Sequence, residues 1–139
     1  MTQYLFVYGT LRPGLAPPAV AHIIQQLRRV GAGSVRGRLY NLGAYPGALP
    51  DPAAETTIAG EVFEIPNDLA FWSALDDYEG FDPGSPGASL FVRTRCRVTL
   101  AGGRELESWI YAYNRHPKAA PLVVGGDYYR LQEINQKKE

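Results

Sequence analysis

The chain has 139 residues, 14 basic and 14 acidic, with 45% hydrophobic residues and no formal net charge. That length and composition suit one domain with a real core over residues 1–139, and the balanced charge argues against a nucleic-acid partner or a polybasic membrane anchor. A lone cysteine, Cys96, leaves no intrachain disulfide and no cysteine-based metal site; with no leader pattern and no apolar run near roughly 18 residues, a cytoplasmic protein that does not engage membranes is the expectation.

"QYLFVYG" (Gln3–Gly9) is a compact apolar run closed by glycine and reads as a buried strand. "PPAVAHIIQQLRRVG" (Pro17–Gly31) reads as a helix: prolines in the first turn, Val20, Ile23, Ile24 and Leu27 on one stripe, Arg28 and Arg29 near the end, and Gly31 as the stop. "GSVRGRLYNLG" (Gly33–Gly43) alternates Val35, Gly37 and Leu39 against Arg36, Arg38 and Tyr40, as a half-exposed strand does. "AYPGALPDPAAE" (Ala44–Glu55) reads as a Pro/Gly loop and "TIAGEVFEI" (Thr57–Ile65) as another strand. "NDLAFWSALDDY" (Asn67–Tyr78) has the spacing of a second helix, and "DPGSPGAS" (Asp82–Ser89) is rich in turn formers. Two long strands, "LFVRTRCRVTL" (Leu90–Leu100) and "ELESWIYAYN" (Glu105–Asn114), flank the hairpin turn "AGGR". The polar tail 132–139 reads as frayed. Strands and helices do not alternate regularly, which implies an α+β domain built on a mainly antiparallel sheet or barrel.

Two stretches carry candidate chemistry. In "VYGTLRPG" a strand stops at Gly9, and the amides of Gly9, Thr10 and Leu11 follow in a tight turn that can aim N–H groups at one anion. On spacing alone an ordinary strand-to-loop turn is the better reading. In "ALDDYEGF" three acids, Asp76, Asp77 and Glu79, crowd the C-terminal end of a helix, where the macrodipole disfavours carboxylates. Dipole and like charge together should raise the pKa of Glu79 toward the range suited to proton transfer near neutral pH. A solvated acidic helix end is an equally good reading, and Asp76 can serve as a structural hydrogen-bonding group. His22 and His116 lack metal-ligand spacing, so no metal is expected. Arg93, Arg95 and Arg97 alternate along one strand and read as a solvated face, Cys96 reads as a buried strand thiol, and Tyr111 and Tyr113 as core or rim aromatics.

"YLFVYGTLRPG", "YPGALP", "LDDYEGF", "FVRTRCRV" and "WIYAYN" occur here in the order and spacing of the gamma-glutamylcyclotransferase-like (AIG2-like) family. The resemblance covers about Gln3 to Tyr129, and the small branch holding gamma-glutamylamine cyclotransferase and BtrG is the most similar. It implies a small mixed barrel with flanking helices, a Tyr8–Leu11 turn that holds the glutamyl end of a small gamma-glutamyl substrate, and Glu79 as the catalytic acid/base. The implied reaction is cofactor-free cyclisation to 5-oxoproline with release of an amine or amino acid. The matching motifs also point to Tyr45, Arg93 and Tyr113 as pocket-lining residues. The stretch Phe81–Leu90 is long for this branch and is expected to form a rim or lid. The alternative is a noncatalytic module that captures an acidic metabolite or a peptide end.

Overall fold

A computed structural model describes residues 2–9, 23 and 27–128. The strands are β1 (Gln3–Val7), β2 (Arg28–Asn41), β3 (Pro46–Pro50), β4 (Thr57–Ile65), β5 (Phe91–Leu100) and β6 (Glu105–Tyr113), with α-helix α1 (Leu69–Glu79) and 3₁₀ turns at Pro86–Ala88 and Val124–Gly126. The sheet runs β3-β2-β4-β1-β6-β5, and β2 also pairs with β5 through Gly33–Leu100 and Ser34–Thr99. That second pairing closes five strands into a barrel and leaves β3 outside it. The barrel is mixed because β1 runs parallel to β6 at Leu5–Trp109, while the remaining pairings are antiparallel.

The alternation along β1 divides the apolar residues between two cores. Phe6 and Tyr8 face the barrel interior with Val35, Leu39, Ile58, Val62, Val98 and Ile110. Leu5 and Val7 face the other way, where Phe63, Ile65, Phe91 and Tyr111 meet Phe71, Trp72 and Leu75 of α1. A strand with both faces buried needs the unbroken apolar run seen in "YLFVY". Half-buried Cys96 packs against the barrel core, and burial, with Glu107 adding like charge, pushes its thiol up to about 12.

Two expectations are corrected. Arg28–Gly31 is strand, not the end of a helix. It pairs with β4 across a bulge between Arg29 and Gly31, and the ion pairs Arg28–Glu64 and Arg29–Glu61 hold it there. The rest of the proposed first helix, apart from Ile23 and Leu27, lies outside the described residues, as does the 132–139 tail. The Ala44–Glu55 loop contains β3, paired from Gly37–Pro50 to Asn41–Pro46. Its prolines disguise it, yet a strand outside the barrel tolerates missing donors at its ends.

Helix α1 is closed at both ends by its own sequence. Asp68 caps the N-terminus by accepting from the Ala70 N–H at 2.9 Å. At the C-terminus Gly80 turns left-handed (φ 72°), and the Gly80 and Phe81 N–H groups donate to the Asp77 and Asp76 carbonyls at 3.2 and 2.8 Å. This is a Schellman closure, which glycine adopts without Cβ strain. Glu79 is therefore the last residue of the helix, held where the chain reverses.

Candidate active site

A cavity of about 440 Å³ lies between the end of β1, the start of β3 and the end of α1. Its buried end is formed by Phe6, Val7, Tyr8, Gly9, Pro46, Phe91 and Tyr111, and its solvent end by Ala44, Asp77, Tyr78 and Gly80. Glu79 and Tyr45, which also line the cavity, are half-buried. Gly9 is required by the close approach of β3: a Cβ there would stand 2.8 Å from Pro46 Cγ.

Glu79 is the titratable group poised near neutrality. Its carboxyl is pushed up to about 7 from 4.5, and the cause is burial. The sequence reading blamed the dipole and the neighbouring acids; the geometry corrects this. The Asp76 carboxylate turns away into a buried network. It accepts two hydrogen bonds from Arg93, from Nε at 3.0 Å and from Nη2 at 3.3 Å, and a third from Tyr111 Oη at 2.7 Å. The Arg93 guanidinium lies 4.3 Å from the centre of the Trp72 ring and 4.9 Å from that of Trp109, a cation–π stack that holds it in place.

The two buried phenols on the cavity, Tyr8 and Tyr111, are committed to hydrogen bonds. Tyr8 Oη donates to the Tyr111 carbonyl at 2.5 Å and accepts from the Ala48 N–H at 3.3 Å. Burial, then the Glu79 charge, holds the Tyr8 hydroxyl far above the ordinary phenol range. Tyr111 is shifted the same way by burial and by its bond to Asp76. Both phenols stay neutral and act as walls, leaving Glu79 as the group able to exchange a proton near pH 7. Among the described residues no group of three His, Cys, Asp or Glu side chains is placed to hold a metal ion.

A raised carboxyl pKa costs folding stability when the group is ionised. Between about 4.5 and 7 the folded protein binds the Glu79 proton more tightly than the unfolded chain, so stability falls as pH rises through that window and stays lowered above it. Glu79→Gln is expected to melt like the parent at pH 4 and to be more stable at pH 8 by about 1–3 kcal/mol, allowing for partial solvation. Urea unfolding at the two pH values checks this; equal stability at pH 8 contradicts the assigned shift.

The chain matches the family described as gamma-glutamyl cyclotransferase, AIG2-like, over residues 5–130. It belongs to that family. It is 34% identical to gamma-L-glutamyl-butirosin B gamma-glutamyl cyclotransferase of Niallia circulans, over 97% of this chain and 82% of that one. It is 30% identical to the family protein YtfP of Escherichia coli, over 89% of this chain and 94% of that one. The fold matches an AIG2-like protein of Mus musculus with a TM-score of 0.68 at 22% identity, covering 91% of this chain and 88% of that one. It also matches YkqA of Bacillus subtilis at 0.73 and 25% identity, over 99% of this chain, which spans 43% of that longer protein.

Against the AIG2-like motifs, the structure brings Tyr8, Gly9, Tyr45 and Glu79 onto one cavity. Thr10 and Leu11 lie outside the described residues. Arg93 and Tyr113 do not line the cavity. Arg93 is bound to Asp76, and the Tyr113 ring packs 5.6 Å from that of Phe91, with its Cβ against Gly47. The Phe81–Leu90 stretch is pinned rather than open: Asn114 Nδ2 donates to the Pro86 and Ser89 carbonyls, and Arg115 to those of Ser89 and Ala88. Within that stretch Leu90 reaches the cavity wall. The sequence reading missed Asp77, Tyr78 and Tyr111 as lining residues. Asp77 and Tyr78 were findable, since they immediately precede Glu79 at the end of the helix.

Proposed function

We propose that this protein is a gamma-glutamyl cyclotransferase that converts the gamma-glutamyl group of a small amide to 5-oxoproline, with Glu79 as acid/base. The observation that carries the reading is a carboxyl with a pKa near 7 sharing one cavity with the buried backbone at Gly9. In this reading the turn from Tyr8 through Leu11 binds the α-carboxylate and folds the glutamyl chain. The α-nitrogen then lies over its own γ-carbonyl. Glu79 takes a proton from the α-ammonium; the freed amine attacks the γ-carbon and forms the ring C–N bond. The tetrahedral intermediate collapses with cleavage of the original amide C–N bond: Glu79 gives its proton to the departing nitrogen and, ionised again, takes the extra proton from the ring nitrogen and returns it to solvent or to the released amine. The nucleophile is already part of the substrate, so positioning supplies much of the rate: effective molarities of about 10⁵–10⁸ M are reached in well-oriented intramolecular reactions.

The test is incubation with gamma-glutamyl amines and gamma-glutamyl amino acids, followed by assay for 5-oxoproline. Turnover is expected, with kcat/KM rising about tenfold per pH unit on the acid side and levelling near pH 7 as Glu79 loses its proton. Saturable binding without 5-oxoproline from any of these compounds would overturn the reading. A module for capturing purely anionic metabolites is disfavoured by the Glu79 carboxyl on this cavity, whereas a glutamyl group brings its own ammonium to it.

A further inference from the structure

The Glu79 carboxylate makes no hydrogen bond or ion pair among the described residues. No described polar partner fixes it, so its place on the cavity is set by the backbone that carries it, the last residue of α1. How firmly that helix end is anchored decides where an acid/base at Glu79 stands.

One side chain outside the cavity holds the end from both sides of Glu79. The Arg93 guanidinium, on β5, bonds the Asp76 carboxylate through Nε and Nη2. It lies 4.3 Å from the centre of the Trp72 ring, one turn before Asp76, and 6.0 Å from that of the Phe81 ring, beyond Glu79. The backbone ties the same two residues together, since the Phe81 N–H donates to the Asp76 carbonyl at 2.8 Å. From β6, Trp109 stacks on the guanidinium and Tyr111 Oη donates to the Asp76 carboxylate. The Tyr111 carbonyl in turn accepts from Tyr8. Contacts thus run from Arg93 through Asp76 and Tyr111 to Tyr8, joining the helix end that carries Glu79 to the strand end beside Gly9. A bidentate pair fixes direction as well as distance.

Building on the cyclotransferase reading, we propose that Arg93 is a positioning residue for the reaction, one that stays off the substrate and holds Glu79 in place by gripping Asp76 and Phe81 on either side of it. Arginine suits the task because its planar fork can bond a carboxylate while its faces lie on aromatic rings; lysine supplies the charge without the fork or the face.

A double-mutant cycle on kcat tests this. Arg93→Lys should lower kcat for 5-oxoproline release about ten- to a hundredfold, as a misplaced catalytic group does, with KM within about twofold of the parent. Made in Glu79→Gln, the same change should lower the residual turnover by less than about twofold, because no acid/base is left to misplace. Asp76→Asn, which removes the charge from the other partner, should behave alike and carries the test if Arg93→Lys does not fold. Equal kcat losses in the two backgrounds would mean a general structural role and overturn the proposal, as would a parental kcat or a loss confined to KM. If the parent releases no 5-oxoproline from any gamma-glutamyl amide, the cyclotransferase reading fails, and amide hydrogen exchange then tests the anchoring alone. Exchange about tenfold faster at Gly80 and Phe81 in Arg93→Lys supports it, and parental exchange at both overturns it.

Discussion

Replacing Glu79 with Gln is expected to lower kcat for 5-oxoproline release by about 10²–10⁴-fold, the usual contribution of a positioned acid/base, while KM changes little. The reason lies in what the substitution keeps. Gln has nearly the same size and sits at the same Schellman-closed helix end, so the cavity and its buried end at Tyr8 and Gly9 are preserved. What disappears is a group that both accepts and returns a proton near pH 7. Its nearest partners in the network do not substitute for it: Tyr8 and Tyr111 are hydrogen-bonded and held neutral, and Asp76 is tied to Arg93. Residual turnover in the variant should also lose the acid limb near pH 7. A Glu79→Gln protein with parental kcat and an unchanged pH profile would remove Glu79 from the chemistry. Glu79→Asp provides a second check. It retains the carboxyl but withdraws it by one methylene, so kcat should fall while the acid limb remains.

The second large effect is on stability. Asp76→Ala should destabilise the fold by about 2–4 kcal/mol, toward the lower part of the range for a broken buried pair. The variant leaves the Arg93 guanidinium, with its side chain 19% exposed, without its carboxylate, and Tyr111 Oη without its acceptor. The stack on Trp72 and Trp109 and the residual access to water keep the cost from being larger. For a domain of this size the loss corresponds to a melting-temperature drop of roughly 10 °C. The double variant Asp76→Ala/Arg93→Met should be less destabilised than the sum of the single changes, since it leaves no stranded charge. Denaturant unfolding of the three proteins decides the matter; strict additivity, or an Asp76→Ala loss below about 1 kcal/mol, would show that the network is not a buried ion pair in any energetic sense. Because Asp76 stands one helical turn before Glu79, the pair also fixes the end of α1 against β5.

Most of the elements could be read from local pattern. β4 needs only its alternation, the β5–β6 hairpin only "AGGR" between two branched and aromatic runs, and α1 only its Asp68 cap and Gly80 stop. β3 escaped because its prolines and glycine carry a stronger turn signal than its short hairpin pairing with residues 37–41. Arg28–Gly31 was lost for a related reason: a helical stripe upstream suggested continuation, while the competing β4 partner lies more than 30 residues away. Arg93 looked like a pocket residue from its motif, and its neighbours Arg95 and Arg97 do pair with Glu107 and Glu105 on the exposed face. Only the packing of α1 on the barrel brings Asp76 to Arg93.

The amino-acid sequence by itself determined most of the barrel's strands, the glycine that follows β1 and the position of Glu79 at a helix end, because each depends on residues within a few places of one another. The tertiary structure alone decided which acid is free. Asp76, Asp77 and Glu79 are near-equivalents along the chain, but folding pairs the first with Arg93, exposes the second at the cavity mouth and withdraws water from the third. The raised pKa of Glu79 is thus a consequence of burial, a property of the surroundings that no reading of adjacent letters contains.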